Sequence, residues 1–218
     1  MAARGRHRAG HLVEPVTLPD PDRSFVSIAV VFYLGLTALA WGISLLLGPL
    51  VPLVSTWRWE TVGRDLGLGI GMAAAIVAVT WFCGRRFAWS RDLEGEFARL
   101  LGPLDSADIF TVALFSGVAE EVFFRGALQP HVGYVSASLL FGLFHIGPSR
   151  AFVGWTVFAL AIGFLFGGIV ALTGSLLPVI VAHFGVNFVN LHRITRRGAP
   201  DGGREGARDP HESSARRH

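Results

Sequence analysis

Polar and apolar residues in this chain come in blocks. Apolar runs at residues 25–48, 66–83, 109–128, 132–146, 152–172 and 176–191 are separated by short polar stretches. Most approach the ~20 residues a helix needs to cross a bilayer. Pro49 and Pro52 end the first run, because proline and the residue before it resist helix continuation. Gln129-Pro130-His131, Gly147-Pro148-Ser149-Arg150 and Thr173-Gly174-Ser175 read as turns between later runs. Residues 84–108 carry a different pattern. Leu93, Phe97, Leu100, Leu101 and Leu104 recur at helical spacing, while Arg91, Asp92, Glu94, Glu96 and Arg99 take the other face. This predicts a short amphipathic helix on the membrane surface, with Asp105 or Ser106 capping the next helix. The pattern therefore predicts an all-α, polytopic membrane helix bundle of six transmembrane helices plus a short interfacial helix. Residues 1–24 read as a polar tail, 25–191 as one membrane domain and 192–218 as a disordered tail.

Composition supports this reading. The chain of 218 residues is 51% hydrophobic and 16% charged, with a mean hydropathy of +0.50, against about 25% charged residues in soluble domains. A net charge of +3 would suit a nucleic-acid partner, but the basic residues, all arginine, sit in loops and tails. Residues 1–24 hold four, 84–108 four, position 150 one, and 192–218 seven; the intervening loops hold only Arg58 and Arg64. By the positive-inside rule both termini are expected in the cytoplasm of a multi-pass protein in a bacterial plasma membrane. The expected partners are membrane lipids and a peptide or protein substrate, and no nucleic acid. Gly67-x-x-x-Gly71 and Gly163-x-x-x-Gly167 offer sites of close helix packing. Cys83, the single cysteine, excludes an internal disulfide.

The candidate chemistry lies in the run at 109–128. Glu120, Glu121 and Arg125 are three ionisable groups within an apolar span, where each costs at least ~2.5–3.5 kcal/mol at the bilayer centre and marks a functional site by default. Glu121 and Arg125 are spaced i, i+4 and can pair. Glu120 points about 100° away from Glu121, which leaves it to face a cavity. His145 lies near the end of the fourth run, and His183 and Asn187 share a face of the sixth. Two glutamates and one arginine leave a negative charge, resolved by a protonated carboxyl, a charged histidine or a bound cation. A desolvated glutamate beside histidines suits general-base activation of water. An asparagine amide and a histidine N–H suit oxyanion stabilisation.

These residues resemble the CAAX protease and bacteriocin-processing family of intramembrane proteases, which includes the type II CAAX prenyl endopeptidases. That family's pattern is Glu-Glu-x-x-x-Arg, Phe-x-x-x-His and His-x-x-x-Asn. Glu120-Glu121-Val122-Phe123-Phe124-Arg125, Phe141-Gly142-Leu143-Phe144-His145 and His183-Phe184-Gly185-Val186-Asn187 match it in order, over roughly residues 106–191. The resemblance implies peptide-bond hydrolysis in or at the edge of the membrane. It implies that Glu120 and His145 activate water, that His183 and Asn187 stabilise the oxyanion, and that Glu121 and Arg125 orient the site. No cofactor is favoured. Zinc held by Glu120, His145 and His183 is the other option, although the His-Glu-x-x-His spacing of many zinc proteases is absent. Two further readings stay open: a proton-coupled transporter, since such residues also form proton relays, and a non-proteolytic scaffold or immunity protein.

Overall fold

The computed structural model describes residues 24–198. Eight helices follow in order: α1 (Ser24–Leu47), α2 (Trp59–Arg86), α3 (Ala88–Leu101), α4 (Ser106–Glu121), α5 (Gln129–Val132), α6 (Tyr134–Phe144), α7 (Val153–Thr173) and α8 (Leu177–Gly198). A π-helical segment, Val122–Leu128, joins α4 to α5, and a 3-10 turn, Arg150–Phe152, leads into α7. Among the described residues there is no strand. The protein is an all-α membrane helix bundle. Among the described residues, three helices are long and apolar enough to cross a bilayer: Phe25–Leu47, Trp59–Arg86 and Arg150–Thr173. The outward faces of α1 and α2 stay apolar and uncovered, as at Leu45, Leu46 and Ile70, which suits contact with lipid tails.

Close helix contacts are made at glycines. A Cβ on Gly117 would lie 2.9 Å from the Phe184 backbone N, so α4 and α8 meet backbone to backbone there. Gly142 does the same between α6 and Leu160 of α7. Gly163 and Gly167 of α7 lie against Ser138 and against Gln129 and Tyr134. Of the two expected glycine pairs, this second one is used. Gly67 and Gly71 face open space, and the contact between α2 and α8 falls on Gly69, against the Pro178 carbonyl and Val181.

Several boundaries differ from the sequence expectation for local reasons. Helix α2 begins at Trp59, within the polar stretch, and carries Asp65 fully buried and ion-paired to the neighbouring Arg64 at 2.6 Å. The turn expected at Gln129-Pro130-His131 is helical, and the chain turns at Gly133, whose φ of 83° suits glycine. Proline is tolerated there because the π register precedes it. Gln129 N–H bonds back to the Phe124 carbonyl, and the Gly126 carbonyl, which a residue at 130 would normally serve, accepts from Val51 N at 3.1 Å. Helix α8 runs past the expected end at residue 191 to Gly198. Its extension is held by Arg193, which pairs with Glu94 of α3 at 2.9 Å. Glu94 is accordingly buried rather than on the solvent face of α3. Asp105 caps α4, with its Oδ1 accepting from Ala107 N and Asp108 N at 2.8 Å each. The remainder of the expected tails, 1–23 and 199–218, lies outside the described residues.

Candidate active site

The site is assembled where α4 runs into the π segment, against α6, α7 and α8. Glu121 and Arg125 form the pair their spacing predicts, Nη1 to Oε1 at 3.1 Å, with relative exposures of 0% and 1%. The same Oε1 accepts from His183 Nδ1 at 2.7 Å. The other arm of Arg125 donates to the Gly163 carbonyl at 3.4 Å, and its guanidinium sits 4.0 Å from the centroid of the Phe141 ring. Arginine suits this position because a planar, delocalised cation satisfies a carboxylate, a carbonyl and an aromatic face together. One buried cation thus ties the central helix to α6 and α7, and through Glu121 to α8.

Glu120 is placed differently. Its Oε2 lies 3.5 Å from His145 Nε2 and 4.0 Å from His183 Nε2. It has no hydrogen-bond partner among the protein atoms. The second nitrogen of each ring is already committed. His145 Nδ1 meets the Phe141 carbonyl at 2.7 Å, and a carbonyl only accepts, so Nδ1 carries the proton. His183 Nδ1 donates to Glu121. In the neutral rings both Nε2 atoms therefore present lone pairs toward Glu120.

His145 follows the last residue of α6, where the helix tightens and His145 N–H bonds to the Gly142 carbonyl at 3.0 Å. Its ring is flanked by Phe141 at 4.3 Å and Trp155 at 4.9 Å between centroids. Thr156 Oγ1 donates to the His145 carbonyl at 2.8 Å. Asn187 lies one turn beyond His183, and its Nδ2 donates to Ser116 Oγ at 2.9 Å. A cavity of about 50 Å³ borders the site, with room for a few waters. His145, His183 and Asn187 line it among apolar side chains that include Ile76, Phe158 and Phe166.

The structure thus gathers Glu120, Glu121, Arg125, His145, His183 and Asn187 in one place. Ser116 and Trp155 belong beside them and were not expected. Ser116 was accessible to helical spacing, since it precedes Glu120 by one turn. Trp155 follows a turn and carries no such signal.

The segment holding all six residues is also the one that known proteins share. A family model described as type II CAAX prenyl endopeptidase Rce1-like matches residues 103–189. The uncharacterized protein YpbD of Bacillus subtilis is 39% identical over 133 residues, which is 58% of this chain and 67% of the relative. The chain belongs to the Rce1-like family of type II CAAX prenyl endopeptidases. It is an integral membrane protein of that CAAX-protease type. No solved structure gives a significant match. The matched segment starts just before α4 and ends within α8, so α1, α2 and α3 lie outside it.

Glutamate and two histidines are donor types that zinc accepts. Among the described residues, however, no group of three such side chains is arranged to hold a metal ion.

Proposed function

We propose that the protein is an intramembrane endopeptidase in which Glu120 activates water against a peptide bond. The observation that carries this reading is the carboxylate oxygen of Glu120, buried, unpartnered and aimed at two imidazole nitrogens beside a cavity. A water between Glu120 and His145 gives one proton to the carboxylate and points the other at the Nε2 lone pair of His145. Its oxygen attacks the carbonyl carbon, and the carbonyl π bond opens to an oxyanion. Asn187 has a second amide N–H beyond the one given to Ser116, and it faces that oxyanion from the cavity wall. His183, protonated at Nε2 from solvent before the substrate enters, joins it by donating through Nε2–H while Nδ1–H stays on Glu121. Collapse re-forms the carbonyl, breaks the C–N bond and returns the proton from Glu120 to the leaving amine. Apolar walls from α2, α7 and α8 suit a substrate with an apolar group next to the scissile bond. The arginine distribution supports a bacterial plasma-membrane location with both termini cytoplasmic.

The test is cleavage of a quenched peptide library by the purified protein in detergent, with and without chelator, alongside metal analysis. Wild type should cleave, and Glu120→Gln and His145→Ala should not. Equal cleavage by these variants and wild type rules the reading out. Activity that survives chelation, with no metal found, supports the side-chain mechanism.

A further inference from the structure

Helix α3 lies outside the segment shared with the family, yet two of its aromatic side chains hold the start of α7 beside the site. Trp89 packs on Gly154, where a Cβ would lie 2.7 Å from the indole. About two turns further along, the Phe97 ring stands edge-on to Phe152 at 5.0 Å and to Trp155 at 5.2 Å between centroids. Phe152 is buried and also meets Trp155 edge-on, at 5.8 Å. Trp155 ends the cluster. Its ring lies 4.9 Å from the His145 imidazole, and it borders the cavity, as Phe97 does not. A cluster built only for packing would end in the core, whereas this one ends on the side chain that faces Glu120 at 3.5 Å.

His145 needs such support. It follows the last residue of α6, with φ −102° and ψ 18°, and the chain leaves the helix there. The bond between Nδ1 and the Phe141 carbonyl fixes one point of the imidazole. The Phe141 and Trp155 rings beside it limit rotation about that point. Thr156, next to Trp155, holds the His145 carbonyl at 2.8 Å. The start of α7 therefore holds both the backbone and the ring of His145, and α3 holds the start of α7. Helix α3 has a separate anchor in the ion pair of Glu94 with Arg193 of α8, so the contact at Phe97 can be altered without releasing the helix. We propose that Phe97 is a positioning residue for His145: it holds the Trp155 ring against the imidazole and so keeps Nε2 directed at Glu120. The catalytic consequence rests on the protease reading, and the coupling itself on the ring geometry.

Phe97→Leu keeps apolar bulk and removes the ring edge. In the purified full-length protein in detergent, kcat should fall about 3- to 10-fold, the range of one aromatic pair, with KM unchanged because Phe97 does not border the cavity. Trp155→Leu should lower kcat further and change KM as well. Leu100→Ala, on the exposed face of α3, should leave both constants at their wild-type values. The second readout is NMR of histidine-labelled protein. The His145 ring signal is the one lost in His145→Gln, and Phe97→Leu should shift it, because the ring current of the neighbouring indole acts on it. An unshifted signal overturns the proposal, and so does an equal shift in Leu100→Ala. A wild-type kcat in Phe97→Leu while Glu120→Gln abolishes cleavage also overturns it, and in that case the protease reading stands. If the wild-type protein shows no Glu120-dependent cleavage, the protease reading fails and the histidine signal alone decides the coupling.

Discussion

Glu120 and Glu121 are neighbours in sequence and opposites in environment. Glu121 is fully enclosed, and its Oε1 accepts from an arginine and a histidine. Glu120 is nearly as buried, yet its Oε2 has no protein partner and looks across 3.5–4.0 Å at two imidazoles. The helix produces this division, because adjacent residues point about 100° apart. One carboxylate is therefore built into the packing, and the other is turned toward two imidazoles that themselves line the cavity. Each carboxylate leaves its Oε2 without a hydrogen-bond partner, so what separates them is the arginine and histidine held by Glu121 Oε1 and the two imidazoles that face Glu120 Oε2.

Substitution should separate the two. The largest effect on activity is expected for Glu120→Gln, which keeps the shape and removes the base. Turnover should fall by roughly 10²–10⁴-fold, while the thermal unfolding midpoint in detergent stays within a few degrees. Arg125→Met should act on the other side of the comparison. It leaves the Glu121 carboxylate buried without its cation, a loss of about 3–5 kcal/mol, visible as a lowered midpoint and a broadened size-exclusion peak. Glu121→Gln should fall between them. It weakens both the arginine pair and the orientation of His183, and kcat should drop about 10- to 100-fold, the usual scale for a group that holds a reacting side chain. If Glu121→Gln is as inactive as Glu120→Gln yet equally stable, the division of roles fails. The smallest shift is expected for Gly117→Ala, whose Cβ would press on the Phe184 backbone at 2.9 Å. Parting α4 from α8 should cost about 1–3 kcal/mol and lengthen the His183–Glu121 contact, measurable as a joint fall in stability and turnover.

The site was legible in sequence where it depended on one helix at a time. The spacing of Glu121 and Arg125, and of His183 and Asn187, reports faces directly. Contacts between helices were not legible. Nothing in the spacing ties His183 to Glu121, or Asn187 to Ser116, because those pairings depend on how α4 and α8 cross at Gly117. The same limit applies to small residues. Gly67 and Gly71 carry the familiar packing pattern but face open space, whereas Gly69 between them makes the contact. Helix ends misled where a tertiary partner overrode local signals. Arg193 extends α8, where it pairs with Glu94 of α3. Apolar blocks reported the class of fold because lipid and core both demand apolar surface.

Pro130 is usually thought of as a breaker, and here it behaves as a register lock. By withholding an N–H it leaves the Gly126 carbonyl to Val51, so the wider π winding upstream has no competing α-helical donor at that point. An alanine there would offer the Gly126 carbonyl, through its second lone pair, an α-helical N–H beside that of Val51. Residues 122–128 would then have an α-helical alternative to the π winding that carries Arg125.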